Sequence, residues 1–346
     1  MSDTHPRYRT GRPELDDQIA ATVDAIGDHP DRNLLFEMVV SATRLGLEGA
    51  DRGELKLLNA ALKELRYSFE VFGPYRDIRK VSIFGSARTQ PDQPEYIAAR
   101  EFGAAMVEKG WMAITGAGPG IMTAGIEGAG AENSFGVNIL LPFESEASGP
   151  IADDPKLINF KYFFTRKLMF MKESHGYALF PGGFGTMDEA FELLTLMQTG
   201  RTYLAPVALV DPPGSSYWDT WLHFVERELC DAGLVSAADL SLVQLTGDVE
   251  DAVDTLCDFY RNYHSMRFVG GRLVLRLQHA LDADHVASLN SEFSGILADG
   301  RIESIEATAA EIADDDVPEL PRLAMAFDRR SYGRLRELVD RLNEMG

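Results

Sequence analysis

Apolar residues recur at two different spacings along the chain, and the point at which the spacing changes divides the sequence. In the first part they recur every three to four residues, the period of an amphipathic helix, over residues 15–26, 34–45 and 55–72. The pair Gly73-Pro74 ends the third run, because proline cannot continue a helix. The pattern predicts a helical N-terminal segment over residues 1–79.

From residue 80 onward, short apolar runs alternate with runs of helical period. Strands are predicted at residues 81–84, 111–115, 137–141, 157–160, 177–180 and 205–210. Helices are predicted at residues 95–109, 121–131, 163–173, 186–198, 218–229 and 249–263. This alternation is typical of βαβ units, so the predicted fold class is α/β with a parallel sheet over residues 80–263. The segment 142–155, which contains proline and serine, is predicted to be a loop that borders a site.

The rhythm changes again in the last part of the chain. Residues 272–277 alternate like a half-exposed strand, and residues 284–297 have a helical period. Two further strands and a final helix are predicted at residues 302–307, 323–327 and 332–345. This β-α-β-β-α order predicts a small α+β domain of ferredoxin-like kind over residues 264–346.

Composition narrows the class of ligand and the compartment. The chain has 346 residues, of which 54 are acidic and 33 are basic, giving a formal net charge of −21. This balance argues against a nucleic acid or an anionic membrane as the partner, so an anionic ligand has to be small. Cys230 and Cys257 are not in a metal-binding spacing and are predicted to be core residues. With no apolar leader and no membrane-length stretch, the sequence predicts a cytoplasmic protein.

A glycine-rich loop, Pro181-Gly182-Gly183-Phe184-Gly185, lies between a predicted strand and a helix predicted to begin at Thr186. The first N–H groups of a helix have no carbonyl partner, and the helix dipole places partial positive charge there. Glycines allow an oxyanion to approach the backbone closely. The loop is therefore predicted to bind phosphate.

A second glycine loop, Gly116-Ala117-Gly118-Pro119-Gly120, also lies between a strand and a helix. In an open parallel sheet both loops lie at the carboxyl edge, and two such loops indicate a nucleotide. The spacing G-x-G-x-G is one residue short of the dinucleotide fingerprint, and neither loop is followed by a Walker lysine. Alternatively, these glycines only make tight turns.

Two charged residues near the loops, Arg166 and Glu189, each allow a structural and a functional interpretation. Arg166 shares a helical face with Phe163 and Phe170, so it either meets an anion in apolar surroundings or extends from the helix edge into solvent. Glu189 has capping-box spacing from Thr186, and capping alone would explain it. Asp188 and Glu192 add negative charge close to the predicted phosphate site, which favours a chemical role for this group of carboxylates.

These residues resemble the paired motifs of a known family. Pro181-Gly182-Gly183-Phe184-Gly185-Thr186-x-x-Glu189, with Arg166-Lys167 upstream, is similar to the motifs of the Lonely Guy (LOG) family of nucleotide 5′-monophosphate phosphoribohydrolases, which includes cytokinin-activating enzymes. Supporting stretches are Phe84-Gly85-Ser86-Ala87, Gly116 to Met122 and Asn138 to Glu144. The resemblance covers about residues 81–199.

The resemblance implies a Rossmann-like, doubly wound sheet with Arg166 and Glu189 as catalytic residues and no cofactor. It implies substrate binding by Gly85, Ser86, Gly116, Gly118, Gly120, Met122, Lys167, Gly182, Gly183, Gly185, Thr186 and Glu192. Ala117 and Thr123 depart from the family pattern on the base or ribose side. The helical N-terminal segment resembles that of longer members, which form larger homo-oligomers.

The function predicted is hydrolysis of the N-glycosidic bond of nucleoside 5′-monophosphates, AMP-like or cytokinin riboside monophosphates, to free base and ribose 5-phosphate. The predicted partners are this small nucleotide and further copies of the chain. The alternative is a nucleotide or alarmone sensor that binds its ligand without turnover and signals through the terminal domains.

Overall fold

A computed structural model describes residues 8–140 and 150–346. The residues fall into two compact units, the first ending at Arg66 and the second beginning at Tyr67. The first unit contains α1 (Pro13–Asp24), α2 (Arg32–Leu47) and most of α3 (Arg52–Phe72). Its core is formed by Ile19, Val23, Phe36 and Val40. The three helices predicted from the apolar period are confirmed.

The second unit is built around a parallel seven-stranded sheet. Its strands are β1 (Lys80–Phe84), β2 (Met112–Thr115), β3 (Ser134–Ile139), β4 (Leu157–Phe160), β5 (Gly176–Leu179), β6 (Val207–Val210) and β7 (Gln244–Thr246). The helices between and after them are α4 (Pro94–Glu108), α5 (Ile121–Ala129), α6 (Phe163–Glu173), α7 (Phe184–Gln198), α8 (Tyr217–Phe224) and α9 (Val249–Asp258). The predicted α/β class is therefore confirmed.

The central strands are apolar throughout because helices cover both faces of the sheet. Every residue of β1, β2, β5 and β6 is buried. Phe102 of α4 and Leu256 of α9 belong to the buried cluster that packs against these strands. In the sequence, strands of this kind are continuous apolar runs. The predicted bounds of these four strands are therefore close to the observed ones.

The strand order places a crevice in the middle of the sheet. The order is β4-β3-β2-β1-β5-β6-β7, so the chain moves outward from β1 in one direction and then returns to continue from β5 in the other. In doubly wound sheets, ligands bind at the carboxyl ends of the strands where the order reverses. The loops after β1 and β5 are therefore the ones that flank a site.

A second, antiparallel sheet follows. Its strands are β8 (Tyr263–Val269), β9 (Arg272–Leu277), β10 (Leu297–Ile305) and β11 (Arg322–Phe327). Their order in the sheet is β10-β11-β9-β8. With α10 (Ala283–Glu292), α11 (Ala309–Ala313) and α12 (Tyr332–Met345), the element order differs from the predicted β-α-β-β-α by the additional β8 and α11. Gly270 and Gly271, both at positive φ, form the turn between β8 and β9, and this Gly-Gly hairpin signal was present in the sequence.

Other predictions differ in detail or fall elsewhere. The predicted helix 218–229 is α8 followed by a π-helical turn, Val225–Cys230, and the short edge strand β7 was not predicted. Cys230 and Cys257 are half-buried rather than core residues. Most of the predicted loop 142–155 lies outside the described residues, as does Glu144. None of the helices in the described ranges is long and apolar enough to cross a membrane.

Candidate functional site

Three loops meet at the carboxyl edge of the parallel sheet. Ser86, after β1, donates its backbone N–H to the carbonyl of Pro181, after β5, at 3.1 Å. The carbonyl of Ser86 in turn accepts a hydrogen bond from the N–H of Ile121, at the end of the loop after β2, at 3.1 Å. The two predicted glycine loops therefore lie on either side of Ser86, as the parallel-sheet argument required.

Glycine is needed where these loops touch. A Cβ atom on Gly182 would lie 3.0 Å from the backbone nitrogen of Ser86 and would overlap the Thr186 hydroxyl. A Cβ atom on Gly120, which has φ +68, would overlap the carbonyl oxygen of Ser86, and one on Gly85 would lie 2.7 Å from the Ile121 side chain. These glycines thus do more than make turns: they let three backbone segments approach one another.

The start of α7 differs from the sequence prediction. The helix begins at Phe184 with Gly183 as its N-cap, and Met187 donates its N–H to the Gly183 carbonyl at 3.1 Å. Thr186 is therefore inside the first turn, and the predicted capping box between Thr186 and Glu189 is wrong. Because a glycine cap has no side chain, no side chain caps the first N–H groups of this helix. Such a helix start is suited to an anion.

Glu189 is buried, with 6% of its surface exposed. Its Oε1 lies 3.8 Å from Nη1 of Arg166, which is an ion-pair distance but too long for a hydrogen bond. Its Oε2 is buried and has no hydrogen-bond partner within the described part of the chain. Burial raises the pKa of Glu189 to about 7, an effect opposed by Arg166 and Lys167. With its capping role excluded, Glu189 is an unsatisfied carboxyl group that titrates near neutrality.

Arg166 reaches the site from α6. Its Nε donates to the Val137 carbonyl of β3 at 2.8 Å, and its guanidinium lies 5.2 Å from the centre of the Phe170 ring. Only 12% of the side chain is exposed, so the interpretation of an arginine extending into solvent is wrong. Burial lowers the pKa of Arg166, and Glu189 opposes that effect. Phe163, which shares that helical face, is 51% exposed, so Phe170 is the buried aromatic residue of the pair.

Gly116 provides the space for this guanidinium, because a Cβ atom at that position would overlap Nη2 of Arg166. Met122 closes the loop from the other side: a Cβ on Gly118 would lie 2.7 Å from its terminal methyl carbon. Thr123 donates its hydroxyl to the Gly118 carbonyl at 2.9 Å. The loop after β2 is therefore shaped around two side chains, one cationic and one apolar.

Lys167 pairs with the two remaining carboxylates. Its Nζ lies 2.7 Å from Asp188 and 2.6 Å from Glu192, so it links α6 to the first turns of α7. Burial lowers the pKa of Lys167, but the hydrogen bonds to Asp188 and Glu192 outweigh that effect and raise it overall. The negative charge of these carboxylates, which the sequence placed close to a predicted phosphate site, is thereby partly offset by a half-buried cation.

The predicted residues form one group in the structure. A hydrogen bond links Ser86 to the Gly182 loop, ion pairs link Arg166 to Glu189 and Lys167 to Glu192, and Gly116 lies close to the side chains of Arg166 and Met122. Gly183 and Gly185 have open space where a side chain would be. Sequence reasoning missed Tyr217, whose hydroxyl donates to the Gly182 carbonyl at 2.5 Å. The only available signal was that residues after β6 return to the same edge of the sheet.

Comparison with known proteins identifies similar sequences over this region. Residues 108–256 match a family described as "Possible lysine decarboxylase". The chain is 30% identical over 159 residues to a cytokinin riboside 5′-monophosphate phosphoribohydrolase of Mycobacterium tuberculosis, covering 45% of this chain and 81% of that protein. It is 28% identical over 164 residues to a probable enzyme of the same name from Oryza sativa subsp. japonica, covering 46% of this chain and 63% of that protein.

Among solved structures, a molybdenum cofactor carrier protein from Chlamydomonas reinhardtii is similar over 51% of this chain and 94% of its own. The sequence identity is 20% and the TM-score is 0.36. A likeness of that extent carries no inference about what this chain binds.

Proposed function

We propose, from the premise that this chain belongs to the Lonely Guy family, that it hydrolyses the N-glycosidic bond of nucleoside 5′-monophosphates to free base and ribose 5-phosphate. The observation that carries the proposal is Glu189, a buried carboxyl group that pairs with Arg166 while its Oε2 has no hydrogen-bond partner in the described ranges. Such an atom is suited to a ligand hydroxyl or to water. AMP-like nucleotides and cytokinin riboside monophosphates are the proposed substrates.

The start of α7 would hold the 5′-phosphate. Its first N–H groups are not capped by a side chain, and Gly183 and Gly185 leave room for phosphate oxygens against the backbone. Glu189 lies on the same helix, less than two turns further on. A nucleotide bound by its phosphate at the helix start would therefore place its ribose close to the carboxyl group. Binding energy from the phosphate is then used to orient the sugar.

In the reaction, the bond between C1′ and the base nitrogen breaks and a bond between C1′ and a water oxygen forms. One proton of the water goes to the departing base, and the other remains on the new hydroxyl group. The transition state resembles an oxocarbenium ion, as in glycoside hydrolysis. Ionised Glu189 would stabilise the positive charge on the sugar and orient the water or a ribose hydroxyl. Arg166 would favour the ionised form of Glu189 and add a positive charge for the ribose phosphate.

The family description "Possible lysine decarboxylase" would require a lysine that forms a Schiff base. To do so, the amine of that lysine has to be uncharged when it attacks. Lys167 is the lysine near the loops, and its two carboxylate partners raise its pKa and keep it charged. Burial lowers the pKa of Lys80, but Lys80 begins β1, at the opposite edge of the sheet, and donates to the carbonyls of Tyr75 and Ile78. The arrangement of these lysines does not support a decarboxylase.

The test is incubation of the purified protein with a panel of nucleoside 5′-monophosphates, with the released base measured by chromatography. Nucleosides without the phosphate are the matched controls, because the proposal assigns binding to the helix start. Release of base from a monophosphate and not from its nucleoside supports the proposal. Binding of nucleotides by calorimetry with no base released from any of them would favour the sensor alternative.

We expect kcat/KM to rise as the pH increases through about 7. Burial raises the pKa of Glu189 to about 7, so the group is protonated below that pH and ionised above it. Because the proposed reaction needs the carboxylate, the low-pH side of the pH–rate profile should have its midpoint there. A midpoint near 4.5, the ordinary value for a glutamic acid, would mean that another group controls the rate.

We also propose that the chain forms a homo-oligomer, since several large apolar side chains of the first unit are exposed, among them Leu34, Met38, Leu55, Leu58 and Leu62. Light scattering at micromolar concentration should give a mass of at least two chains. Leu62→Asp should lower that mass, whereas Lys56→Asp, at an exposed polar position of the same helix, should not. A monomer mass for the unmodified protein would contradict the proposal.

A further inference from the structure

Tyr217, the first residue of α8, contacts the glycine loop that follows β5. Its hydroxyl donates to the carbonyl of Gly182 at 2.5 Å. Gly182 precedes Gly183, the N-cap of α7, so the bond reaches the backbone immediately before the helix start. It connects the loop after β6 with the loop after β5 at the carboxyl edge of the sheet.

Asp211, directly after β6, holds Tyr217 in place. This carboxylate is buried, with 6% of the residue exposed; its Oδ2 accepts the N–H of Trp218 at 2.9 Å, and its Oδ1 accepts the Ser215 hydroxyl at 2.7 Å. The Ser215 oxygen accepts the N–H of Tyr217 at 3.3 Å. The Tyr217 ring also packs edge-on against the buried Trp218, with ring centres 4.9 Å apart. These contacts fix the start of α8, and they thereby fix the position of the Tyr217 hydroxyl.

We propose that Tyr217 is a positioning residue that orients the Gly183 N–H for phosphate. In a planar trans peptide, the C=O of one residue and the N–H of the next point in opposite directions. A hydrogen bond that fixes the Gly182 carbonyl toward Tyr217 therefore fixes the Gly183 N–H away from Tyr217. Gly182 and Gly183 in sequence give this peptide unit unusual rotational freedom, and the tyrosine removes it.

The kinetic part of this inference rests on the proposed function, whereas the backbone part does not. The phosphate is not a reacting group, so this single N–H would contact it in both the ground state and the transition state, while the other N–H groups of the helix start still orient the sugar. A poorly oriented N–H should therefore raise KM more than it lowers kcat. A side chain that only stabilised the fold would instead lower the active fraction and leave KM unchanged.

Tyr217→Phe removes the hydroxyl and keeps the ring against Trp218. Backbone amide hydrogen exchange should become faster in residues 182–187 and stay the same elsewhere in the parallel sheet. Affinity for inorganic phosphate and for ribose 5-phosphate, measured by calorimetry, should weaken by roughly tenfold, the scale of one hydrogen bond. With a monophosphate substrate, KM should rise by a similar factor and kcat should change by less than about threefold.

Tyr260→Phe is the matched control. The Tyr260 hydroxyl also donates to a backbone carbonyl, that of His175, at 2.7 Å, but His175 immediately precedes β5 and lies at the opposite edge of the sheet. This variant should leave exchange in residues 182–187 and phosphate affinity unchanged. Unchanged exchange and affinity in Tyr217→Phe would overturn the proposal. If the unmodified protein released no base, the proposed function would fail, and exchange in residues 182–187 would still decide the role of Tyr217.

Discussion

Glu189→Gln is expected to lower turnover by roughly two to four orders of magnitude, the scale of a lost acid–base group. Glutamine matches the size of the buried glutamate but cannot supply the negative charge that an oxocarbenium-like state requires. The helix should be unaffected, because Glu189 caps nothing and α7 begins at the Gly183 cap. Affinity for the monophosphate should stay within a few-fold of the unmodified protein, since the helix start is unchanged. Base release measures the first effect, and calorimetry measures the second.

Glu250→Gln is the matched control for that substitution. Glu250 lies in the first turn of α9 and is exposed, so its charge is also lost close to a helix start, but α9 follows the edge strand β7 and not β5. Its turnover should equal that of the unmodified protein. If Glu189→Gln kept more than about a tenth of the normal rate, the loss would be below the scale of acid–base catalysis, and the chemistry would belong to another group.

Arg166→Met is expected to lower kcat/KM by roughly two to three orders of magnitude, the range seen when one preorganised hydrogen-bond donor is removed from an active site. Methionine keeps an unbranched apolar stem against Phe170 and removes the guanidinium. The pKa of Glu189 should rise above about 7, because Arg166 is the first of the groups that lower it. The low-pH side of the pH–rate profile should therefore move to higher pH. This movement separates an effect on Glu189 from a simple loss of phosphate binding.

Arg227→Met, at an exposed arginine of the π-helical turn, is the control for that substitution. Its rate and pH profile should not change. A thermal melt of Arg166→Met should accompany the kinetics, because the Val137 carbonyl loses the hydrogen bond from Arg166. A folded Arg166→Met protein whose profile keeps its midpoint would show that Arg166 acts on the ligand and not on Glu189.

The sequence predicted the features that depend on local pattern. The buried strands appear as apolar runs, and the glycine loops after β2 and β5 follow directly from their position between strand and helix. That Arg166 meets an anion was expected only as one of two interpretations, because helical spacing does not determine whether an arginine finds a partner. Burial of both side chains in the structure resolves that choice.

What the sequence did not predict depends on tertiary contacts. Thr186 and Glu189 do have the spacing of a capping box, but the helix start predicted from it is wrong, because α7 begins earlier, at Phe184. Its N-cap is Gly183, and a glycine cap has no side chain that the sequence could reveal. Lys167 pairs with both Asp188 and Glu192, so it joins α6 to α7. Apolar periodicity predicts each helix by itself and gives no information about such a link. Tyr217 is separated from Gly182 by 35 positions, and only the strand order brings them together.

Arg166 and Glu189 belong to different halves of the parallel sheet. Arg166 is bonded to the carbonyl of Val137 in β3, on one side of the boundary between β1 and β5, whereas Glu189 follows β5 on the other side. Sliding of one half against the other would therefore change the 3.8 Å separation of the pair directly. Lys167 crosses the same boundary to Asp188 and Glu192 and resists that sliding. The geometry of the reacting groups thus depends on the alignment of the two halves, which the backbone ladder between β1 and β5 and the Lys167 ion pairs both hold.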